Sequence, residues 1–168
     1  MNFKKAIGVI AFHGDVIEHI QVTQEAVKNL KLNIKVIPVR SKIDIHAIDA
    51  LIIPGGESTT LGKLCERAGI FEDVKRLKYI FGTCAGAILL AKTIYHQEKD
   101  QKTFELMDIE VDRNAYGRQV ESFEIPINTT LGKLNAVFIR APKINKIGKD
   151  VKILASLNNE ITACEQNT

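Results

Sequence analysis

The chain has 168 residues, 45% apolar and 26% charged, which is the composition of a soluble globular domain. Its 23 Lys and Arg against 20 Asp and Glu leave a net charge of +3, too small and too scattered to form a nucleic-acid surface. No apolar run reaches the roughly 18 residues of a membrane span, and the start lacks a signal-peptide cleavage pattern. The three cysteines are an odd number spread along the chain, which favours a reducing compartment over a disulfide framework. The expectation is one cytoplasmic domain over 1–168, with neither nucleic acid nor membrane as a partner.

Residues 6–12 are continuously apolar and rich in β-branched side chains, the pattern of a strand buried on both faces in a parallel sheet. Asp15 is placed to cap a helix, with Glu18 three positions on to reach back. That helix runs to about Leu30, with Val16, Ile20, Val27 and Leu30 on one side. A second strand follows over 33–39, then a short helical segment over 41–47. A third strand over 50–53 is broken by Pro54-Gly55-Gly56. Helical spacing returns over 58–68 through Leu61, Leu64, Cys65 and Ala68, with Gly69 as the C-cap. Residues 79–81 read as a fourth strand and 85–91 as a buried helix.

This alternation predicts a doubly wound α/β fold, a flavodoxin-like three-layer sandwich with a mostly parallel sheet. The second half should be antiparallel or mixed. Residues 107–112 and 120–127 flank Asn114-Ala115-Tyr116-Gly117 as a hairpin or paired strands, with further strands over 137–140, 151–157 and 161–164. Residues 95–103 read as a polar loop with little to bury.

The strongest chemical signal is Gly82-Thr83-Cys84-Ala85-Gly86, set between a strand and a buried helix. It is a Gly-x-nucleophile-x-Gly elbow with cysteine as the nucleophile. The glycines allow a sharp backbone turn, and the helix beginning at Ala85 directs its positive end at the sulfur, which favours thiolate. The Ala85 N–H then becomes one donor of an oxyanion hole. The plain alternative is a small buried hydrophobe, the usual role of a cysteine outside a disulfide. That plain reading is the one given to Cys65, at core spacing, and to Cys164, in a terminal strand. The second signal is Pro54-Gly55-Gly56-Glu57-Ser58-Thr59-Thr60 at the carboxyl end of the third strand. Ligands of open α/β sheets bind beyond the carboxyl ends of strands, so this loop should face the cleft of Cys84. Its glycines let backbone N–H groups approach a carboxylate or oxyanion. The alternative is an ordinary strand-to-helix turn with Ser58 as N-cap.

These motifs and their neighbours resemble the glutaminase subunits of pyridoxal 5′-phosphate synthases, a triad-type (class I) glutamine amidotransferase family. The resemblance runs nearly end to end. It is carried by Ile7-Gly8-Val9 with Gly14-Asp15-Val16 and Glu18-His19, by Leu51 through Thr60, and by Phe81 through Gly86 with Ile88-Leu89-Leu90-Ala91-Lys92. It continues in Asp112-Arg113-Asn114, Tyr116-Gly117-Arg118-Gln119 and Glu121-Ser122-Phe123, and in Phe138-Ile139-Arg140-Ala141-Pro142.

The resemblance implies hydrolysis of L-glutamine to L-glutamate and ammonia through a cysteine thioester, without metal or cofactor. The ammonia would pass to a (β/α)₈ synthase subunit that builds vitamin B6. Cys84 would be the nucleophile. Gly55, Gly56 and Glu57 would line the glutamine pocket, Gly56 and Ala85 would form the oxyanion hole, and Arg113, Ile139 and Arg140 would complete the substrate pocket. Arginine and backbone amides suit the carboxylate of an amino-acid substrate. Outside this context either arginine reads as half of a surface salt bridge.

The family's general base is a histidine of a His-x-Glu pair close to the carboxyl terminus. The resemblance places that pair on a strand directly after 161–166, so a closing strand and helix are expected to be lacking here. The alternatives are a truncated chain of a normal enzyme, a catalytically inactive glutaminase-like binding subunit, or another cysteine enzyme on the same scaffold, related to single-domain peptidases and chaperones. His46 and His96 read as solvated, and His19 as structural or at a partner interface. His13, at the end of the first strand, is a candidate replacement base or a packing residue.

Overall fold

A computed structural model describes residues 5–99, 101–113, 122–139 and 141–167. They form two compact units, Met1–Leu89 with Asp100–Phe104, and Leu90–Lys99 with Glu105–Thr168. Each contains its own sheet.

The sheet of the first unit has four parallel strands in the order β2-β1-β3-β4, where β1 is Lys5–Ile10, β2 Ile34–Val39, β3 Ala50–Ile53 and β4 Tyr79–Gly82. Val9, Ile10, Val39, Leu51 and Ile53 are buried in it, as apolar runs in a parallel sheet require. The helices are α1 (Val16–Asn29), α2 (Lys42–His46), α3 (Ser58–Arg67), α4 (Phe71–Val74) and α5 (Ala85–Leu90). Helix α3 buries Leu61 and Cys65 and ends as expected at Gly69, whose φ is +65°. The Gly69 N–H donates to Glu66 O and the Ile70 N–H to Cys65 O, the paired bonds of a Schellman motif.

Three local expectations are corrected. Asp15 occupies the N-cap position of α1, but its side chain makes no capping bond. Val16, Ile20 and Val27 share a half-buried side of that helix as expected, but Leu30 is its C-cap and is 67% exposed. The apolar run after Cys84 does not stay helical, because Ala91 already begins a strand. Helix α4, a single turn that covers its core with Val74, had no sequence signal.

The sheet of the second unit has the order β5-β6-β9-β11-β10-β7-β8. Its strands are β5 (Ala91–Tyr95), β6 (Met107–Asp112), β7 (Phe123–Thr129), β8 (Gly132–Phe138), β9 (Lys143–Ile147), β10 (Val151–Leu157) and β11 (Glu160–Gln166). Strands β5 and β6 are parallel and the remaining pairings antiparallel, so the expectation of a parallel first half and a mixed second half holds. The expected pairing of 107–112 with 120–127 does not. Strand β6 lies between β5 and β9, whereas β7 pairs with β8 from Phe123↔Phe138 down to Thr129↔Gly132. The turn residues 114–117 lie outside the described residues. Residues 95–103 are largely loop, but Gln101 is buried in the first unit, as is Phe104, whose ring lies 4.6 Å from that of Phe71 at a tilt of 34°. No helix among the described residues is long and apolar enough to cross a membrane.

Candidate active site

In a parallel sheet every strand delivers its following loop to the same edge. In the first unit three of these loops meet there, after β1, β3 and β4. The Asp15 N–H donates to Gly55 O at 3.3 Å. A Cβ on Gly14 would lie 1.7 Å from that same oxygen, and one on Gly55 would lie 2.8 Å from Asp15 Oδ2 and 3.5 Å from Cys84 Cβ. A Cβ on Gly56 would stand 2.9 Å from Gly14 Cα and 3.2 Å from His13 Cδ2. Packing this close leaves room only for glycine on both sides of the contact. Cys84 therefore has Gly55 as an immediate neighbour, and the exposed His13 stands over Gly56.

Cys84 itself is part-buried and has φ +48°, a left-handed conformation that a side chain adopts at a cost of about 1–2 kcal/mol. Its surroundings hold it there. The Thr83 N–H donates to Ile53 O at 3.1 Å, the Gly86 N–H to Thr83 O at 2.8 Å, and the Ile88 N–H to Cys84 O at 3.1 Å. A Cβ on Gly86 would come within 2.1 Å of Ile53 O, and one on Gly82 within 2.6 Å of the Gly86 carbonyl carbon. Thus the glycines of the motif serve the close approach of β3, β4 and α5, and the left-handed torsion falls on the cysteine between them. Ala85 is fully buried in the first turn of α5.

Glu57, not Ser58, occupies the N-cap of α3. Its Oε1 accepts the Thr59 N–H at 2.9 Å and its Oε2 the Thr60 N–H at 2.7 Å. Burial pushes this carboxyl up, but the hydrogen bonds from Thr60 and Thr59 outweigh it and hold the pKa at about 2. Ser58 is buried and accepts a bond from the Gln101 amide at 3.1 Å. The Thr59 hydroxyl donates to the same amide's oxygen at 3.4 Å. The loop after β3 is thus anchored from its far side by a polar residue of the stretch that reads as an open loop.

The histidines divide by position. His19, on α1, places Nε2 2.9 Å from Thr83 Oγ1. His46 is not simply solvated: it donates to Asp73, which is buried and also paired with Lys42 at 3.2 Å and Arg76 at 3.6 Å. The hydrogen bond from His46 holds the Asp73 carboxyl below its ordinary range. His96 and Glu98 have a His-x-Glu spacing that the reading of the sequence passed over. His96 is 65% exposed in the second unit and its Nδ1 lies 3.0 Å from Asp112 Oδ1. Cys65 is fully buried, and burial pushes its thiol up to about 12, as suits a packing residue. Burial also raises the Cys164 thiol.

The structure therefore brings Cys84, Gly55, Gly56 and the backbone of Glu57 to one edge of one sheet. Arg113 follows β6 in the second unit and is half-buried, and Ile139 follows β8 there and is 59% exposed. Arg140 lies outside the described residues. Sequence reasoning named Gly14 and Thr83 within its motifs but gave neither a role of its own, and it missed Gln101, which lies in a polar run without a signal. Among the described residues no group of three or more His, Cys, Asp or Glu side chains could hold a metal ion.

The family model of the SNO glutamine amidotransferase family matches residues 9–168. The chain is 42% identical to the pyridoxal 5′-phosphate synthase subunit PdxT of Pyrococcus horikoshii, over 95% of its own length and 85% of the relative's. It is 44% identical to the PdxT subunits of Archaeoglobus fulgidus, covering 84% of that chain, and of Pyrococcus furiosus, covering 85%. A crystal structure described as a glutamine amidotransferase matches with a TM-score of 0.82 at 42% identity, over 95% of this chain and 84% of that one. The chain belongs to the SNO glutamine amidotransferase family.

Proposed function

We propose that the chain is the glutaminase subunit of a pyridoxal 5′-phosphate synthase, hydrolysing L-glutamine to L-glutamate and ammonia with Cys84 as nucleophile. The observation that carries the reading is Cys84 in a left-handed turn against Gly55, in a chain whose relatives are named PdxT subunits of that synthase. The Cys84 thiolate attacks the side-chain carboxamide carbon. The tetrahedral oxyanion is held by backbone N–H groups of Gly56 and Ala85, ammonia leaves with a proton, and water hydrolyses the thioester to glutamate. The resemblance assigns the proton transfers to a histidine oriented by a glutamate. The resemblance assigns Gly55, Gly56 and Glu57, and also Arg113, Ile139 and Arg140, to the binding of glutamine. Because both carboxylate oxygens of Glu57 are bonded to α3, its contribution is a fixed negative charge beside the substrate ammonium.

The released ammonia passes to a (β/α)₈ synthase subunit in a cytoplasmic hetero-oligomer. The names of the relatives give no support to the inactive-subunit alternative. Replacing Cys84 by Ala should abolish ammonia release, in the presence of the synthase subunit, while leaving glutamine binding measurable by calorimetry. Normal turnover in that variant would remove the nucleophile assignment.

A further inference from the structure

His19 lies one turn into α1, part-buried, with both ring nitrogens engaged. Its Nδ1 stands 2.6 Å from the carbonyl oxygen of Asp15. A carbonyl can only accept, so Nδ1 carries a proton. In the neutral ring Nε2 is then an acceptor, and 2.9 Å away it meets the hydroxyl of Thr83, which donates. Thr83 directly precedes Cys84. Its backbone is tied to the end of β3 through Ile53 O and to α5 through the Gly86 N–H, and the hydroxyl adds a tie in a third direction, toward α1. A left-handed torsion on a residue other than glycine persists only where its surroundings over-determine it, and Thr83 is the neighbour through which that restraint acts.

A purely structural role explains this bond less well. Helix α1 is already fastened to the same edge by the Asp15 N–H to Gly55 O bond, and it buries no residue. A histidine there, with its tautomer set by Asp15, directs an acceptor at one hydroxyl. We propose that His19 is a positioning residue for Cys84: through the Thr83 hydroxyl it holds the turn in the conformation from which the thiol reacts. This rests on the reading of Cys84 as the glutaminase nucleophile.

The test uses the full chain, with its synthase subunit for turnover, and the variants His19→Leu, His19→Gln, Thr83→Val, Thr83→Ser and the His19→Leu/Thr83→Val double. Three quantities are read: kcat and KM for glutamine, and the rate at which iodoacetamide alkylates Cys84, located by peptide mass spectrometry. Loss of one hydrogen bond of ordinary strength should lower kcat by about tenfold in His19→Leu and in Thr83→Val, with KM changed by less than about twofold. The alkylation rate should shift in both. The double variant should be no slower than either single one, because both remove the same bond. His19→Gln, whose Oε1 can accept from the hydroxyl, and Thr83→Ser should recover most of kcat and the native alkylation rate.

Unchanged kcat and alkylation in His19→Leu would overturn the proposal, as would an additive double variant or a His19→Gln as impaired as His19→Leu. Should His19→Leu not fold, the Thr83→Val and Thr83→Ser pair decides the same question at the other end of the bond. If the wild-type complex released no ammonia from glutamine, the glutaminase reading would fall, while the alkylation rates would still judge the tether.

Discussion

Two turns of this molecule use a positive backbone torsion in opposite ways. In the β7–β8 hairpin the torsion falls on Gly132 at φ +121°, and a Cβ there would meet nothing within 4 Å. Thr129 closes that turn, accepting the Leu131 N–H and donating to Gly132 O, and Leu131 projects into solvent at 85% exposure. In the turn after β4 the glycines are crowded by backbone, and the positive torsion is carried by Cys84. The first turn uses glycine for its torsion and the second uses glycine for its lack of volume. A sequence that spends its glycines on space and leaves strain on a thiol has placed that thiol under a constraint other than stability.

The sharpest way to break this contrast is to fill the two kinds of glycine. Gly86→Ala drives a Cβ into the Ile53 carbonyl oxygen and should cost about 3 kcal/mol or more, whereas Gly132→Ala, strained only by its torsion, should cost about 1–2 kcal/mol. Urea denaturation of both reads the difference, and equal losses would erase the distinction. Next comes the strained cysteine. Cys84→Gly should unfold later than Cys84→Ala by about 1 kcal/mol, since only the alanine keeps the left-handed penalty. An alanine variant as stable as the glycine one would show the turn to be unstrained.

Smaller effects sharpen the picture around the site. Glu57→Ala removes the cap of α3 and should cost about 1 kcal/mol at pH 7. Because Glu57 is depressed from 4.5 to about 2, its contribution is complete above about pH 4.5 and is lost as the pH falls toward 2. Wild type and Glu57→Ala should therefore converge in stability across that window, and a gap that persisted at pH 2 would contradict the cap. Smallest is the exposed pair Lys152–Glu165 on β10 and β11, at 3.3 Å. Lys152→Ala should change stability by less than about 0.5 kcal/mol.

The elements legible in the sequence were those whose signals are contiguous. The strands of the first sheet are short, mainly apolar runs, interrupted inside β2 only by Lys35, and the loop after β3 and the turn at Cys84 announce themselves through glycines beside chemistry-bearing residues. What escaped depends on partners far along the chain. Strand β9, Lys-Ile-Asn-Lys-Ile, carries too little apolar content to stand out before β6 and β11 flank it. The pairing of β7 with β8 could not be told from a pairing with β6, because a period of two names a face and not a neighbour. Gln101 lies in a charged run and is buried only because Ser58 and Thr59 offer it bonds. Glu57 took the capping role from Ser58 because its longer carboxylate spans two N–H groups at once. His19 and Thr83 are separated by 64 positions, and neither residue type suggests the other.

The all-parallel ladder of the first sheet also governs when the reactive turn can exist. Strand β4 is held by β3, and β3 by β1, each across a helical crossover, whereas β7 and β8 close on themselves through a tight local turn. Pairings between distant segments must overcome loop-closure entropy first and form slowly, while a hairpin closes in about 1–10 μs. A newly made chain therefore carries Cys84 as an ordinary, unstrained thiol until β1, β3 and β4 have assembled. Its special torsion is a product of tertiary structure, and so is whatever reactivity follows from it.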